Sequence, residues 1–354
     1  MTGGRRTRTS SRAKSWGFIL RRIGYSVISI VGLSILIFVI ARVLPGDPAR
    51  LALGPRAPQS AVDALRQSMH LNDPIFVQYG YWIQGIFTGN WGISLFTQRN
   101  VLLDVQQFLP ATIELILTAA VIDLVIAVPL GLIAGRYENS AVDNGVRLLS
   151  YLGIAIPSFV VAIMLQLSLG YGAHLFPIFG RLSQGATPPP TRTGLYTVDS
   201  LLTGNFGDFG DALWHLILPA FALALGPIAQ EARIMRSAVV ENLRRDYTLS
   251  EISHGLPDST ISTKYLLKPS LIPTVTIYAL DISAQIANAF LIELIFVWPG
   301  FSKYGLNAML SKDLNAIVAV VLVAGVMFAI ANILVDIVVG YLDPRIRLQG
   351  RSEE

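Results

Sequence analysis

Six stretches of about 20 apolar residues, the length a helix needs to cross a hydrocarbon core of about 30 Å, constrain this chain more than any other feature. Ile23–Ala41, Leu148–Ala173, Ala212–Gln230 and Leu314–Val335 contain no formally charged residue, Leu115–Gly135 holds only Asp123, and Ser270–Ile292 only Asp281. Backbone groups in lipid must find partners within their own segment, and no alternating barrel pattern is visible, so each stretch is expected to be a helix. The expected fold class is therefore an all-α membrane protein with six transmembrane helices.

Composition agrees, with 53% apolar and only 14% charged residues in 354, which a soluble domain rarely combines. The chain has no cysteine, which excludes disulfides and thiolate metal sites together. A net charge of +4 would suggest nucleic acid in a soluble protein, but the placement of the charges accounts for it better. With the N-terminus inside, eighteen Lys and Arg fall on the inner side and nine on the outer, and long outer loops count for little in that rule. Both termini are expected to be cytoplasmic. The basic opening Arg5, Arg6, Arg8, Arg12, Lys14 is not read as a signal peptide, because the apolar run after Arg22 exceeds the usual ~7–15 residues and no small-residue cleavage site follows. Residues 1–16 are expected to form a disordered cytoplasmic tail, 17–43 the first transmembrane helix and 344–354 a second cytoplasmic tail.

Between the first two spans, residues 44–110 are too polar to cross and are expected to fold outside, on the membrane surface. Ser60 with Asp63 forms a capping signature for a short helix with Val62, Leu65 and Met69 on one side. Asp73-Pro74 starts a second, aromatic-rich helix that Gly89-Asn90-Trp91-Gly92 breaks. The connection His174–Asp211, with Pro188-Pro189-Pro190, reads as an irregular outer loop. The connection Glu231–Pro269 differs. Its Arg233, Arg236, Arg244 and Arg245 mark it as cytoplasmic, Asp246–His254 suits two helical turns, Gly255 permits the left-handed backbone that ends them, and Pro257-Asp258-Ser259 restarts a helix to Lys268. A projecting helix-Gly-helix knob and an ordinary solvated amphipathic loop both fit that pattern.

Several separate strings, in order, now carry a resemblance. They are Leu44-Pro45-Gly46-Asp47-Pro48; Trp91-Gly92-Ile93-Ser94; Pro110-Ala111-Thr112-Ile113-Glu114-Leu115; His215-Leu216-Ile217-Leu218-Pro219; Asp246-Tyr247 with Gly255-Leu256 and Pro273; Glu293 through Gly300; and Asp343-Pro344-Arg345-Ile346-Arg347. Together they resemble the B-type permease subunits of dipeptide and oligopeptide ATP-binding-cassette importers, a family that includes nickel and glutathione systems. The resemblance implies the type I importer permease fold, with a five-helix core over residues 111–343, in the plasma (inner) membrane. It implies that the knob at about 246–256 is the coupling helix that sits in a groove of the ATPase, through Asp246, Tyr247, Glu251, Gly255 and Leu256. The chain departs from the family there. Leu249-Ser250-Glu251-Ile252-Ser253-His254 replaces an alanine-rich stretch, and Glu251 stands where a small residue is usual.

An ATP-driven transporter needs a glycine-rich phosphate cradle ending in Gly-Lys-Ser/Thr, and no such string occurs in this chain. No cofactor is expected on the chain itself. ATP and Mg are expected on partner subunits: two ATPase domains or subunits, beside a second homologous permease and an extracytoplasmic solute-binding protein, with lipid around them and no nucleic acid. An intramembrane enzyme finds little support. His70, His174, His215 and His254 are scattered, and neither His-Glu-x-x-His nor Gly-x-Ser-x-Gly is present. A passive channel is separated from a gated importer only by the knob.

For the path itself, Thr274, Tyr278, Asp281, Gln285 and Asn288 recur at spacings that place them on one helical face. A charge facing lipid at mid-bilayer costs several kcal/mol, so the stripe is expected to face the bundle interior or a wet cavity. Lining a path and hydrogen bonding between helices both explain it. Asp123 fits the path, or pairing with a neighbouring helix or a partner subunit. Glu293, near the outer end of its span, fits an outer gate, a structural tie or solute contact, and Asn332 with Asp336 fits helix packing.

Overall fold

The computed structural model describes residues 7–43, 48–54, 56–68 and 70–342, and every regular element in them is helical apart from an isolated bridge between Ile93 and Asn100. The first part of the chain forms α1 (Thr7–Val43), α2 (Pro48–Leu53), α3 (Gln59–Ser68) and α4 (Ile75–Thr88). Then come α5 (Val101–Arg136), α6 (Ala141–Ala155), α7 (Ser158–Leu165), which continues as a π-helix over Gln166–Gly172, and α8 (Tyr196–Leu202). The long α9 (Phe206–Leu243) is followed by α10 (Asp246–Ser253), α11 (Asp258–Thr260) with a π-helical stretch Ile261–Leu267, α12 (Lys268–Ile295), α13 (Phe301–Leu310) and α14 (Leu314–Leu342). The strings Leu44–Asp47 and Asp343–Arg347, and the tail 344–354, lie outside the described residues.

Among the described residues four helices are long and apolar enough to cross a membrane by themselves, in α1, α5, α9 and α14, and counting each of two bent pairs as one span gives up to six. One pair is α6 with α7, bent by 103° within the stretch Leu148–Ala173 that reads as one span. Pro157 explains the break: it offers no N–H to the ladder and pushes the preceding residue out of the helical region, and Ile156 is extended at φ −90°, ψ 121°. The other pair meets within α12, bent by 52° between Ile282 and Ala284.

Further helix boundaries differ from those expected. Helix α1 starts at Thr7, inside the expected tail of residues 1–16, and extending a formed helix needs no new nucleus. The fourth helix does not end at Gln230 but runs to Leu243, which places Glu231, Arg233 and Arg236 on α9 rather than in a loop. The stretch 174–211 is not wholly irregular, since α8 and the start of α9 lie in it. At α3 the start is Gln59, with Ser60 inside the helix and Gln59 Nε2 donating to Asp63 at 2.9 Å.

The helices divide into two compact units. In the unit built mainly from 112–298, α9 is the hub on which α6, α7, α8 and α12 pack. Its packing face is small: Ala220, Ala222, Ala224, Ala229 and Ala232 are buried, as close helix approach in lipid requires. Gly131 and Gly135, one turn apart on α5, meet Met235 and Val239 of α9 so closely that a Cβ at either would fall 2.5–2.6 Å from a side-chain carbon. Asp143 at the start of α6 is fully buried and takes a two-pronged hydrogen bond from Arg236 of α9, 2.8 and 2.9 Å, with Arg147 on its other side. Arg22 of α1 and Asp336 of α14 pair at 3.2 Å, a packing role as expected for Asp336.

The other unit contains 24–111 and 299–329. Its core gathers Val101, Val105, Phe301, Tyr304, Ala308 and Ala316, with Phe108 stacked on Tyr304. The buried carboxylate of Asp313 accepts from Ser94 Oγ and Leu95 N at 2.6 Å and caps α14 through Ala316 N at 3.1 Å. This gives the Trp91–Ser94 string a structural duty.

Candidate functional site

Helix α12 brings its stripe against α5 and α9, but the five residues do not share one fate. Thr274 is fully buried, donates to Ser270 O at 2.9 Å and touches Met235 of α9. Tyr278 donates to Ala120 O of α5 at 2.9 Å. Both are engaged in packing. Asp281, half-buried, accepts from Gln230 of α9 at 2.9 Å. Gln285 is buried with neither amide atom hydrogen-bonded among the described residues, while Asn288, beyond the bend, is exposed. The five residues thus straddle the bend, with Gln285 and Asn288 beyond it.

Facing Asp281 stand two carboxyl groups from two other helices. Asp123 of α5 and Glu231 of α9 are both fully buried and lie within hydrogen-bonding reach of each other, with Asp281 in electrostatic range of both. As carboxylates they are acceptors only, and none of their four oxygens finds a donor among the described residues. An enclosed pair of acceptors needs a hydrogen or a cation between its oxygens, because an unmet charge in low dielectric is costly. Glu231 is not legible as an intramembrane residue from hydropathy, because an apolar stretch ends at the first charge. The signal lay in the pattern beyond it, where Ala232, Met235 and Val239 continue a buried helical face.

Toward the other end of the same helices lies a second polar cluster. Glu293, fully buried, accepts from the Thr112 hydroxyl and so ties α12 to α5. Two residues on, Glu114 pairs with Arg181 at 2.5 Å and accepts from Thr197 N and Oγ1 at 2.7 Å. The Arg181 guanidinium lies 3.5 Å over the Tyr196 ring and 5.8 Å from that of buried Trp298. Between Glu293 and Trp298, Val297 holds φ at +49°, a costly backbone for a β-branched side chain. Nearby, Asp199 is buried, which works against its charge. Donors from Thr193 N and Oγ1, Gly194 N and Arg192 N outweigh that and hold its carboxyl below the usual carboxylate range. The Glu293 cluster fastens one end of the bundle, and both Glu114 and Glu293 are shut away from solvent.

The knob has the predicted outline. Helix α10 ends at Gly255, whose φ is +77°. Leu256 N closes back onto Glu251 O at 3.3 Å and Gly255 N onto Ile252 O at 3.0 Å, the left-handed helix stop for which glycine is favoured. The chain then does not stop at Lys268 but passes through the π-helical stretch directly into α12. Leu256 packs on a core of Met235, Val239, Ile261 and Leu266, Thr248 is buried, and Tyr247 donates to Asn242 at 2.5 Å. Arg136 at the end of α5 pairs with Asp258 at 2.7 Å. The knob is therefore braced on its inner side. Tyr247, Leu249 and Ile252 are exposed on it, Asp246 and Gly255 are also exposed, and Glu251 is half-buried.

Residues 127–348 match the family described as "Binding-protein-dependent transport system inner membrane component", and residues 16–116 match the corresponding N-terminal family. A relative from Escherichia coli K12, named "Probable D,D-dipeptide transport system permease protein DdpB", is 35% identical over 95% of this chain and 98% of its own. The "Dipeptide transport system permease protein DppB" of Alkalihalophilus pseudofirmus is 33% identical over 93% and 99%. The "Oligopeptide transport system permease protein AppB" of Bacillus subtilis is 31% identical over 93% and 98%.

Proposed function

The chain belongs to the family of binding-protein-dependent transport system inner membrane components, and on that premise we propose that it forms the membrane path for di- and oligopeptides in an ATP-driven importer. The observation that carries the peptide reading is the end-to-end likeness to permeases named for peptides. The path would run along α5, α9 and α12, where Asp281 and Gln285 are the stripe residues left for a solute once Thr274 and Tyr278 are assigned to packing. Glu293 serves as an outer fastening whose release would open the bundle.

Energy would come from outside the chain, which lacks a phosphate cradle. Its partners would be a second, homologous permease, two ATPase domains or subunits carrying ATP and Mg, and an extracytoplasmic solute-binding protein. The knob supplies the docking element. A braced helix that exposes Leu249 and Ile252 together on one face, with Tyr247 exposed on another, suits insertion into a groove, as amphipathic helices are commonly received. Because the knob is continuous with α12, a push on it would travel directly into the helix that carries Asp281.

Uptake of labelled peptide into vesicles holding the assembled complex tests this reading. Peptide entry that requires ATP and this chain is expected. Entry without nucleotide would identify a passive channel, and a complex that imports nickel or glutathione but no peptide would overturn the solute class. Orientation is tested separately in this cysteine-free chain. A single cysteine at Ser60 is expected to react with a membrane-impermeant thiol reagent in intact cells and one at Ser259 to stay unlabelled; the reverse pattern would refute cytoplasmic termini.

A further inference from the structure

Helix α4 (Ile75–Thr88) contains no charged residue in Ile-Phe-Val-Gln-Tyr-Gly-Tyr-Trp-Ile-Gln-Gly-Ile-Phe-Thr, although it lies in the segment between the first two spans. Its free face is not the polar one that a water-bathed helix presents. Phe76, Gly80, Gln84 and Phe87 lie along it at helical spacing, with Phe76 73% and Phe87 84% exposed and Ile75 and Tyr81 beside them. The neighbouring α3 shows what a wet surface on this unit looks like, since it turns Gln59, Ser60, Asp63 and Gln67 outward.

The opposite side of α4 is fastened to a membrane span. Tyr79 and Trp82 pack on Phe38 of α1, with ring centroids 5.3 and 5.4 Å away, and the Tyr79 hydroxyl is 2.8 Å from Ser34 Oγ. The span in α1 ends at Arg42, so at 1.5 Å per residue Phe38 and Ser34 lie only about 6 and 12 Å inside that end. Arg42 itself reaches back over the Phe38 ring at 5.3 Å. Helix α4 thus lies beside the end of the span and not beyond it, at the depth where aromatic side chains collect in membrane proteins. Around it, α1 exposes Val31, Ile35, Leu36, Val39 and Ile40, so the apolar surface of α4 continues that of a lipid-facing helix.

We propose that α4 is a membrane-interfacial helix whose Phe76–Phe87 face is covered by lipid acyl chains, anchoring this unit to the bilayer surface. The occupant is lipid because a neutral face with two bare phenylalanines, joined to the apolar wall of a span, matches the boundary between headgroups and acyl chains. The inference rests on the membrane-spanning fold and not on the solute.

The test uses the complete transporter reconstituted in phosphatidylcholine vesicles, with single cysteines at Phe76, Phe87 or, as control, Ser60, each carrying an environment-sensitive fluorophore. Labels at 76 and 87 are expected to be quenched by lipids bearing a doxyl group near the headgroup, and to resist aqueous iodide several-fold better than the label at 60. Iodide quenching at 76 and 87 equal to that at 60 would overturn the proposal by placing the face in water. Protection from iodide without doxyl quenching would overturn it by placing another protein surface there. If the labelled variants fail to assemble, benzoylphenylalanine at 76 and 87 keeps the aromatic shape. Photo-adducts to lipid then support the proposal, and adducts to another subunit or to the solute-binding protein refute it.

Discussion

Replacing Gly255 by valine is expected to abolish peptide-stimulated ATP hydrolysis and uptake while leaving the chain inserted in the membrane. A Cβ at Gly255 meets no atom within 4 Å, so steric contact inside this chain is not the cause; the cause is φ at +77°. An L-residue held there is strained by about 1–2 kcal/mol, and a β-branched one is among the least tolerant. That strain alone removes roughly tenfold of the population with α10 correctly ended, and the added bulk stands on the exposed side that a docking groove would cover. Asparagine, which visits the left-handed region more readily, separates the two effects: Gly255→Asn should retain much of the coupling that Gly255→Val loses. Pull-down of the ATPase subunits and ATP-driven uptake in vesicles are the readouts. Normal assembly and uptake by the valine variant would show that α10 is a solvated helix and not the coupling element. Glu251→Ala, which restores the small residue usual at that position, is the companion variant and should keep assembly.

A second large effect is expected where α5 crosses α9. At Gly135 a Cβ would fall 2.6 Å from Val239 Cβ and 2.8 Å from the Arg236 carbonyl oxygen, and at Gly131 2.7 Å from the Ala232 carbonyl oxygen. Backbone atoms cannot turn aside as a side-chain tip can, so a larger residue must push the helices apart. Overpacking of this kind costs about 1–3 kcal/mol or more. In this chain it would also pull Asp123 away from Glu231, since the same two helices hold them. Gly135→Leu should therefore lower both the thermal midpoint and the yield of assembled complex. Gly145→Ala on α6 is the control, because nothing lies within 4 Å of a Cβ there and alanine favours helix by about 0.5–1 kcal/mol. Equal behaviour of the two variants would mean that the α5–α9 approach is not tight.

Both sites were unequally visible in the sequence. Gly255 could be found by reading along the chain, because a run of helix formers followed by glycine and then Pro257-Asp258 spells a helix stop and restart within a dozen residues. Gly131 and Gly135 could not be singled out, since α5 has no local need for glycine. Their reason lies on α9, about a hundred residues away in the chain. Asp123 stands out as an intramembrane charge, whereas Glu231 follows the end of an apolar stretch and so reads as the start of a loop, although α9 carries it as buried helix. Pro157 was present in the third apolar stretch, but its presence does not state whether a helix kinks slightly or turns by 103°.

That the chain is helical and crosses a bilayer repeatedly is readable along the chain, because apolar length, missing charge and backbone hydrogen bonding are local properties that each segment meets alone. So are the ends of α4 at Gly89 and of α10 at Gly255, since left-handed backbone favours glycine whatever surrounds it. Which polar groups are enclosed together follows from packing between helices. Whether Glu231 ends a span or lies buried within one, and whether Tyr278 faces a solute or bonds Ala120, depends on which helix covers that turn. That is a sum over contacts between segments remote in sequence, and no window along the chain contains it.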